Sequence, residues 1–167
     1  MAAIKMSVVG LTVDPSSNSP IVVLRDEEGR FTLPIWIGIL EASSIATQLE
    51  KIELSRPMTH DLFVSVLENA GMRLSRVLVN DLRENTYFAR IFFQDDEGNE
   101  FDVDARPSDS IAMALRVEAE IFVEEGVLER AEALDKKALE HAEKSMDDKW
   151  KEILESLDPD DLGKYRM

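Results

Sequence analysis

The sequence predicts an α+β fold: a single compact domain of mainly antiparallel sheet with helices packed on it, followed by a C-terminal amphipathic helix. Three observations lead there. Short β-branched runs between turn formers fill Ile4 to Ile37 and Leu74 to Ala105. Two segments between them carry apolar residues at helical spacing, and after Asp135 the texture turns charged and aromatic-poor. With 167 residues, 44% of them hydrophobic, the chain can build one core and an appendage. The domain is therefore placed at residues 1–133 and the charged helical extension at 134–167.

Taken in order, Ile4 to Val13 and Ile21 to Arg25 read as hairpin strands around the turn-rich segment Asp14 to Pro20. Glu28-Gly29 turns the chain into a strand from Phe31 to Ile37, where Pro34 lacks a ladder donor and predicts an edge position or a bulge. Gly38 breaks that strand. A helix follows over Glu41 to Glu53, with Ala42, Ile45, Ala46, Leu49 and Ile52 on one stripe, and Arg56-Pro57 ends it. Thr59 is expected to cap a second helix whose core stripe is Leu62, Phe63, Val66, Leu67 and Ala70, with Gly71 as its stop. Leu74 to Leu82, Thr86 to Gln94 and the acidic strand Phe101 to Ala105 read as a three-strand meander. Arg106-Pro107 then leads into a helix capped by Ser108, with Ile111, Ala114 and Leu115 inward. A short strand at Ile121 to Val123 and a helical turn from Gly126 close the domain.

In the extension, Leu139, Ala142, Met146, Trp150, Ile153 and Leu157 step by three or four residues to the Asp158-Pro159 stop. This helix packs either on its own domain or on a second subunit. The strands Leu74 to Leu82 and Thr86 to Gln94 carry more apolar residues than one buried face needs, Phe88 and Phe92 lying opposite Tyr87, Ala89, Ile91 and Phe93. With Trp36 beside the edge-prone Pro34, that surplus predicts a homodimer.

Composition excludes several classes. There is no cysteine, hence no disulfide and no thiolate zinc site, and no apolar run nears the roughly 20 residues of a membrane span. With no charged-then-apolar leader, a soluble cytoplasmic protein is expected. A net charge of −15 opposes wholesale nucleic-acid binding, so any such contact must be local. Through Arg130 the cations are 10 Arg and 2 Lys, and guanidinium forks suit phosphate and carboxylate. Nucleotide loops, hydrolase elbows and zincin signatures are missing.

Chemistry concentrates in Arg56-Pro-Met-Thr-His-Asp61 and Asp102-Val-Asp-Ala-Arg-Pro-Ser-Asp109. Each places an Arg just before a helix start, whose free N–H groups favour an anion, although each Arg can equally pair with its nearby Asp. Arg56, Thr59, Arg106 and Ser108 are thus the phosphate-binding candidates. Asp102, Asp104 and Asp109, with Glu41, offer hard oxygen ligands to Mg²⁺ or Mn²⁺, against the plainer reading of solvated acids. His60 beside Asp61 suits an acid or base, and His60, Asp61 and Asp104 form the catalytic set. Trp36 is either a base-stacking platform or a packed side chain.

Leu33-Pro-Ile-Trp-Ile-Gly38, Glu41-Ala42, Arg56-Pro-Met-Thr-His-Asp61 and Asp104-Ala-Arg-Pro-Ser-Asp109 with Ile111-Ala112, in that order and at those separations, resemble the bifunctional nuclease domain family. The likeness runs from about Lys5 to Ala133 and leaves the extension uncovered. It implies a compact α+β dimer, with DNase and RNase activity as in plant members. The family's polar signature falls here on Glu41, Arg56, Thr59, His60, Asp61, Asp104, Arg106, Ser108 and Asp109. The function expected is metal-dependent hydrolysis of DNA and RNA. The alternative is a non-catalytic regulatory module holding a phosphate or carboxylate ligand.

Overall fold

A computed structural model describes residues 2–134. Seven strands form one mixed sheet: β1 (Ala3–Val13), β2 (Pro20–Asp26), β3 (Thr32–Trp36), β4 (Met72–Arg83), β5 (Thr86–Asp95), β6 (Glu100–Ala105) and β7 (Glu120–Glu124). Four helices complete it: α1 (Ile39–Leu49), α2 (Thr59–Asn69), α3 (Pro107–Val117) and α4 (Glu125–Leu134). The α+β expectation holds. The helix expected in the C-terminal extension lies outside the described residues.

The strand order is β3-β2-β1-β7-β4-β5-β6, antiparallel everywhere except β4 beside β7. Two meanders, β1 to β3 and β4 to β6, are thus joined in the middle by the last strand. β3 is an edge strand, as Pro34 requires, for it cannot donate to a further neighbour. At the hairpin between β1 and β2, Asp14 accepts from Ser16 N and Oγ at 2.9 and 2.7 Å and from Trp36 Nε1 at 3.0 Å. Those bonds hold its carboxyl well below the usual range and fasten the loop to β3. Trp36 meanwhile packs on Ile21 and Val23, the small apolar cluster away from the main core.

Inward positions alternate along the strands, and Val22, Leu24, Leu33, Val77, Val79, Ala89 and Ile91 meet Ile45, Ile111, Met113 and Val127 in one core. Each of these branched or long side chains, fully removed from water, contributes about 1.5–3 kcal/mol, and the Ala89 methyl less. On the opposite face the surplus aromatics have a covering from their own chain: the Arg76 guanidinium lies 3.8 Å from the Phe92 ring centre, and that of Arg83 4.3 Å from Phe88. Both rings remain partly exposed beside these guanidinium groups.

Several helix boundaries depart from expectation. Lys51 takes a left-handed conformation (φ +52°), so α1 stops at Leu49 rather than running to Glu53. Met58, not Thr59, is the N-cap of α2, and its N–H donates to the Asp61 carboxylate at 2.9 Å. Arg106 is the N-cap of α3, with Pro107 at the first helical position, where its missing N–H costs nothing; Ser108 is buried and makes no cap bond. Gly71 does stop α2, in a left-handed conformation (φ +70°).

The largest correction concerns α2 itself. Val64 and Leu67 lean on the core, whereas Leu62, Phe63 and Val66 are 55%, 44% and 54% exposed. The apolar stripe was read correctly as a stripe, but much of it faces outward.

Candidate functional site

A cleft of about 450 Å³ opens where the starts of α1, α2 and α3 converge, lined by Glu41, Ser44, Thr59, His60, Arg106, Asp109 and Arg116, with Ile39, Leu40 and Met58 at its apolar rim. The consecutive helices α1 and α2 and the distant α3 build it. Each sets one polar group against the next.

His60 is the centre. Its Nδ1 lies 2.7 Å from Ser44 Oγ on α1, and its Nε2 lies 2.9 Å from Asp109 Oδ1 on α3. Asp109 also accepts two bonds from Arg106, at 2.8 and 3.1 Å. Burial works against ionising the Asp109 carboxyl, yet the Arg106 and His60 bonds outweigh it and hold the group below the ordinary carboxylate range. Arg106 reaches on to Glu41 at 2.8 Å, and the two carboxylates push its already high pKa further up. Glu41 folds back over Gly38, so closely that a Cβ there would displace its carboxylate. A side chain at Gly38 would therefore disturb the site by moving the flexible Glu41 carboxylate, with no demand from the backbone angle.

Below this layer Arg116, whose side chain is 4% exposed, ties the helices together. Nε donates to Asp61 at 2.7 Å, Nη1 to Ala112 O at 2.8 Å and Nη2 to Ser44 Oγ at 3.0 Å. A buried guanidinium needs such partners, since an unpaired one would be strongly destabilising.

The expected site residues divide. Glu41, Thr59, His60, Arg106 and Asp109 share the cleft. Asp61 accepts from Arg116 Nε and from the Met58 N–H at the α2 start. Arg56 lines the adjoining hollow with Lys51, Pro57 and Asp61, and has no side-chain partner among the described residues, so the pairing of Arg56 with Asp61 is replaced by Arg116 with Asp61. Ser108 is buried beside another hollow near Trp36.

Asp102 and Asp104 are elsewhere. Phe101 contacts the inward Phe93, so the alternate residues of β6 point to the outer face of the sheet. There Asp102 pairs with Arg90, and Asp104 stands opposite Arg90 in the register. The acidic strand thus has its wet face, but that face is turned from the helices, and its other face is only half-buried at Phe101 and Val103. Asp104 does not join His60 and Asp61, and Asp102 and Asp104 do not join Asp109 and Glu41. No group of three or more carboxylate or imidazole ligands suited to a metal gathers among the described residues. The residues present therefore do not form a carboxylate cage for Mg²⁺ or Mn²⁺.

Sequence reasoning missed Ser44 and Arg116. A signal for the latter existed: Arg116 stands seven residues after Asp109, two helical turns along the same face. Ser44 likewise follows Glu41 by three residues on α1.

Among known proteins, a family model described as bifunctional nuclease domain matches residues 22–136. Two relatives, uncharacterized proteins of two strains of Mycobacterium tuberculosis, are each 40% identical over 163 residues, which covers 95% of this chain and 97% of theirs.

Proposed function

The chain belongs to the bifunctional nuclease domain family, and from that premise we propose that it hydrolyses phosphodiester bonds of DNA and RNA in the cleft between α1, α2 and α3. The observation carrying this reading is the contact of His60 with Asp109 beside Arg106, an imidazole oriented by a carboxylate next to an exposed guanidinium. His60 serves as acid or base at the scissile bond, Asp109 fixes its ring, and Arg106 and Thr59 receive the phosphate. Arg56, in the adjoining hollow, takes a neighbouring phosphate of the strand. A homodimer in the cytoplasm belongs to the same reading. Among the described residues no helix is long and apolar enough to cross a membrane.

Metal-stripped protein free of contaminating nuclease should be incubated with labelled DNA and RNA, with and without Mg²⁺ or Mn²⁺, beside His60→Gln, Asp109→Asn and Asp104→Ala. Cleavage lost by at least about 100-fold in the first two is expected, matching the worth of a positioned acid or base. Equal cleavage by wild type and His60→Gln removes the reading. Loss in Asp104→Ala alone moves the chemistry to the outer face of the sheet.

A second reading is favoured by one observation, the apolar rim at Ile39, Leu40 and Met58 above an Arg106 already held by two carboxylates. Such a cleft suits a small ligand with an acidic head and an apolar body, bound without turnover. Saturable binding of such a ligand with no cleavage of nucleic acid decides for it.

A further inference from the structure

We propose that Ser44 is a nucleophile and that the cleft hydrolyses small carboxylic esters with an apolar acyl group. This goes beyond the nuclease reading and does not depend on a nucleic-acid substrate, although the two share His60.

The placement of three groups carries the inference. Arg116 has only donors, so at 3.0 Å Ser44 Oγ accepts from Nη2. The other partner of the hydroxyl is His60 Nδ1 at 2.7 Å. With the ring proton on Nε2, that N–H donates to the Asp109 carboxylate at 2.9 Å, and Nδ1 is the bare nitrogen positioned to take the hydroxyl proton. Serine, base and orienting acid stand in one line. The arrangement is the logic of a serine hydrolase with the two ring nitrogens exchanged in role.

Placement supports the same conclusion. Ser44 lines the cleft instead of closing it off, and α1 holds it one turn from Glu41. Ile39, Leu40, Leu54 and Met58 give the cleft apolar walls, which fit an acyl chain. Arg106 lines the same cleft, bonded to Asp109 and Glu41, and is the cation assigned to the oxyanion.

The step balances with water alone. Ser44 Oγ attacks the ester carbonyl as its proton passes to His60 Nδ1. The C–O bond to the alcohol breaks, and the alkoxide leaves with that proton. Water then attacks the acyl-serine, giving a proton to Nδ1. Release of the carboxylic acid returns the proton to Oγ.

The full chain should be treated with an alkyl fluorophosphonate, mapped by peptide mass spectrometry, and assayed with p-nitrophenyl butyrate. One phosphonyl adduct on Ser44 is expected, together with ester hydrolysis that falls about 100-fold or more in Ser44→Ala and in Asp109→Asn. Because adduct mapping uses the wild-type chain, it stands even where a variant fails to fold. A folded wild type without adduct on Ser44, or hydrolysis unchanged in a folded Ser44→Ala, overturns the inference. Nucleic-acid cleavage that needs His60 but persists in Ser44→Ala, with no adduct, overturns it while leaving the nuclease reading intact. An adduct on Ser44 of a protein that cuts no nucleic acid supports it and removes that reading.

Discussion

His60 and Asp109, 49 residues apart in the chain, meet with 2.9 Å between Nε2 and Oδ1, and through this contact α2 is bound to the start of α3. The same carboxylate holds Arg106, so one side chain serves a helix start, an imidazole and a guanidinium. Asp109→Ala leaves three donors, Arg106 Nε and Nη2 and His60 Nε2, without their acceptor at a half-buried position. It should lower the unfolding free energy by about 1–3 kcal/mol, read from urea denaturation of the full chain. An unchanged midpoint would mean that water replaces the carboxylate at no cost.

The pH dependence of that stability follows in sign from the depressed Asp109 pKa. The folded value lies below the unfolded one, about 3.9, so the contribution is present in full above the unfolded value and is lost as pH falls through the folded value. The stability difference between wild type and Asp109→Asn should shrink as pH falls below about 5. A difference that does not shrink there would contradict the ion-pair assignment.

The outward residues of α2, Leu62, Phe63 and Val66, lie near the apolar rim of the cleft, and exposed apolar surface of this kind marks contacts between chains. Sedimentation of the full chain at micromolar concentration should give a dimer mass. Phe63→Glu with Val66→Glu should give a monomer with an unchanged far-ultraviolet spectrum, since neither side chain is in the core. A monomer mass for the wild type would assign the cover to the segment after residue 134, and truncation at Asp135 would then cause association.

On the outer face of the sheet, Arg76 both roofs Phe92 and forks onto Glu100 with bonds of 2.6 and 2.9 Å. Lysine can keep the charge but not the planar fork. Arg76→Lys should therefore cost part of the roughly 0.5–1 kcal/mol of an exposed cation–π contact, and Arg76→Ala all of it. Thermal melts of both, beside Glu100→Ala, separate the ring contact from the ion pair.

Local chemistry made most of this fold legible. Alternation of β-branched residues, turn dipeptides and the Pro34 edge constraint mark six of the strands, the first hairpin and the β4 to β6 meander, because hairpins are decided by neighbours in sequence. The place of β7 was not legible: Ile121 to Val123 reads as a buried strand, but its parallel pairing with Val77 to Val79 is a contact across the whole domain. The α2 stripe failed for a related reason, since periodicity says that a face is apolar and not what covers it. At the site, His60, Arg106 and Asp109 announced themselves by residue type. Asp102 and Asp104 misled because sequence proximity to Asp109 hides the sheet between them. Ser44 has no motif at all, and its significance arises only from the imidazole and guanidinium that converge on it.

The central place of β7 also bears on how the molecule comes into being. A ribosome delivers β1 to β3 first and β4 to β6 next, each a set of hairpins able to close on its own. Yet β1 and β4 have no direct pairing in the sheet, and each shows an open edge until residues 120–124 arrive to fill the slot between them. The nascent chain thus carries two unfinished half-sheets from the completion of β6 at Ala105 to the arrival of β7 at Glu120, and the sheet becomes one cooperative unit only when β7 leaves the exit tunnel.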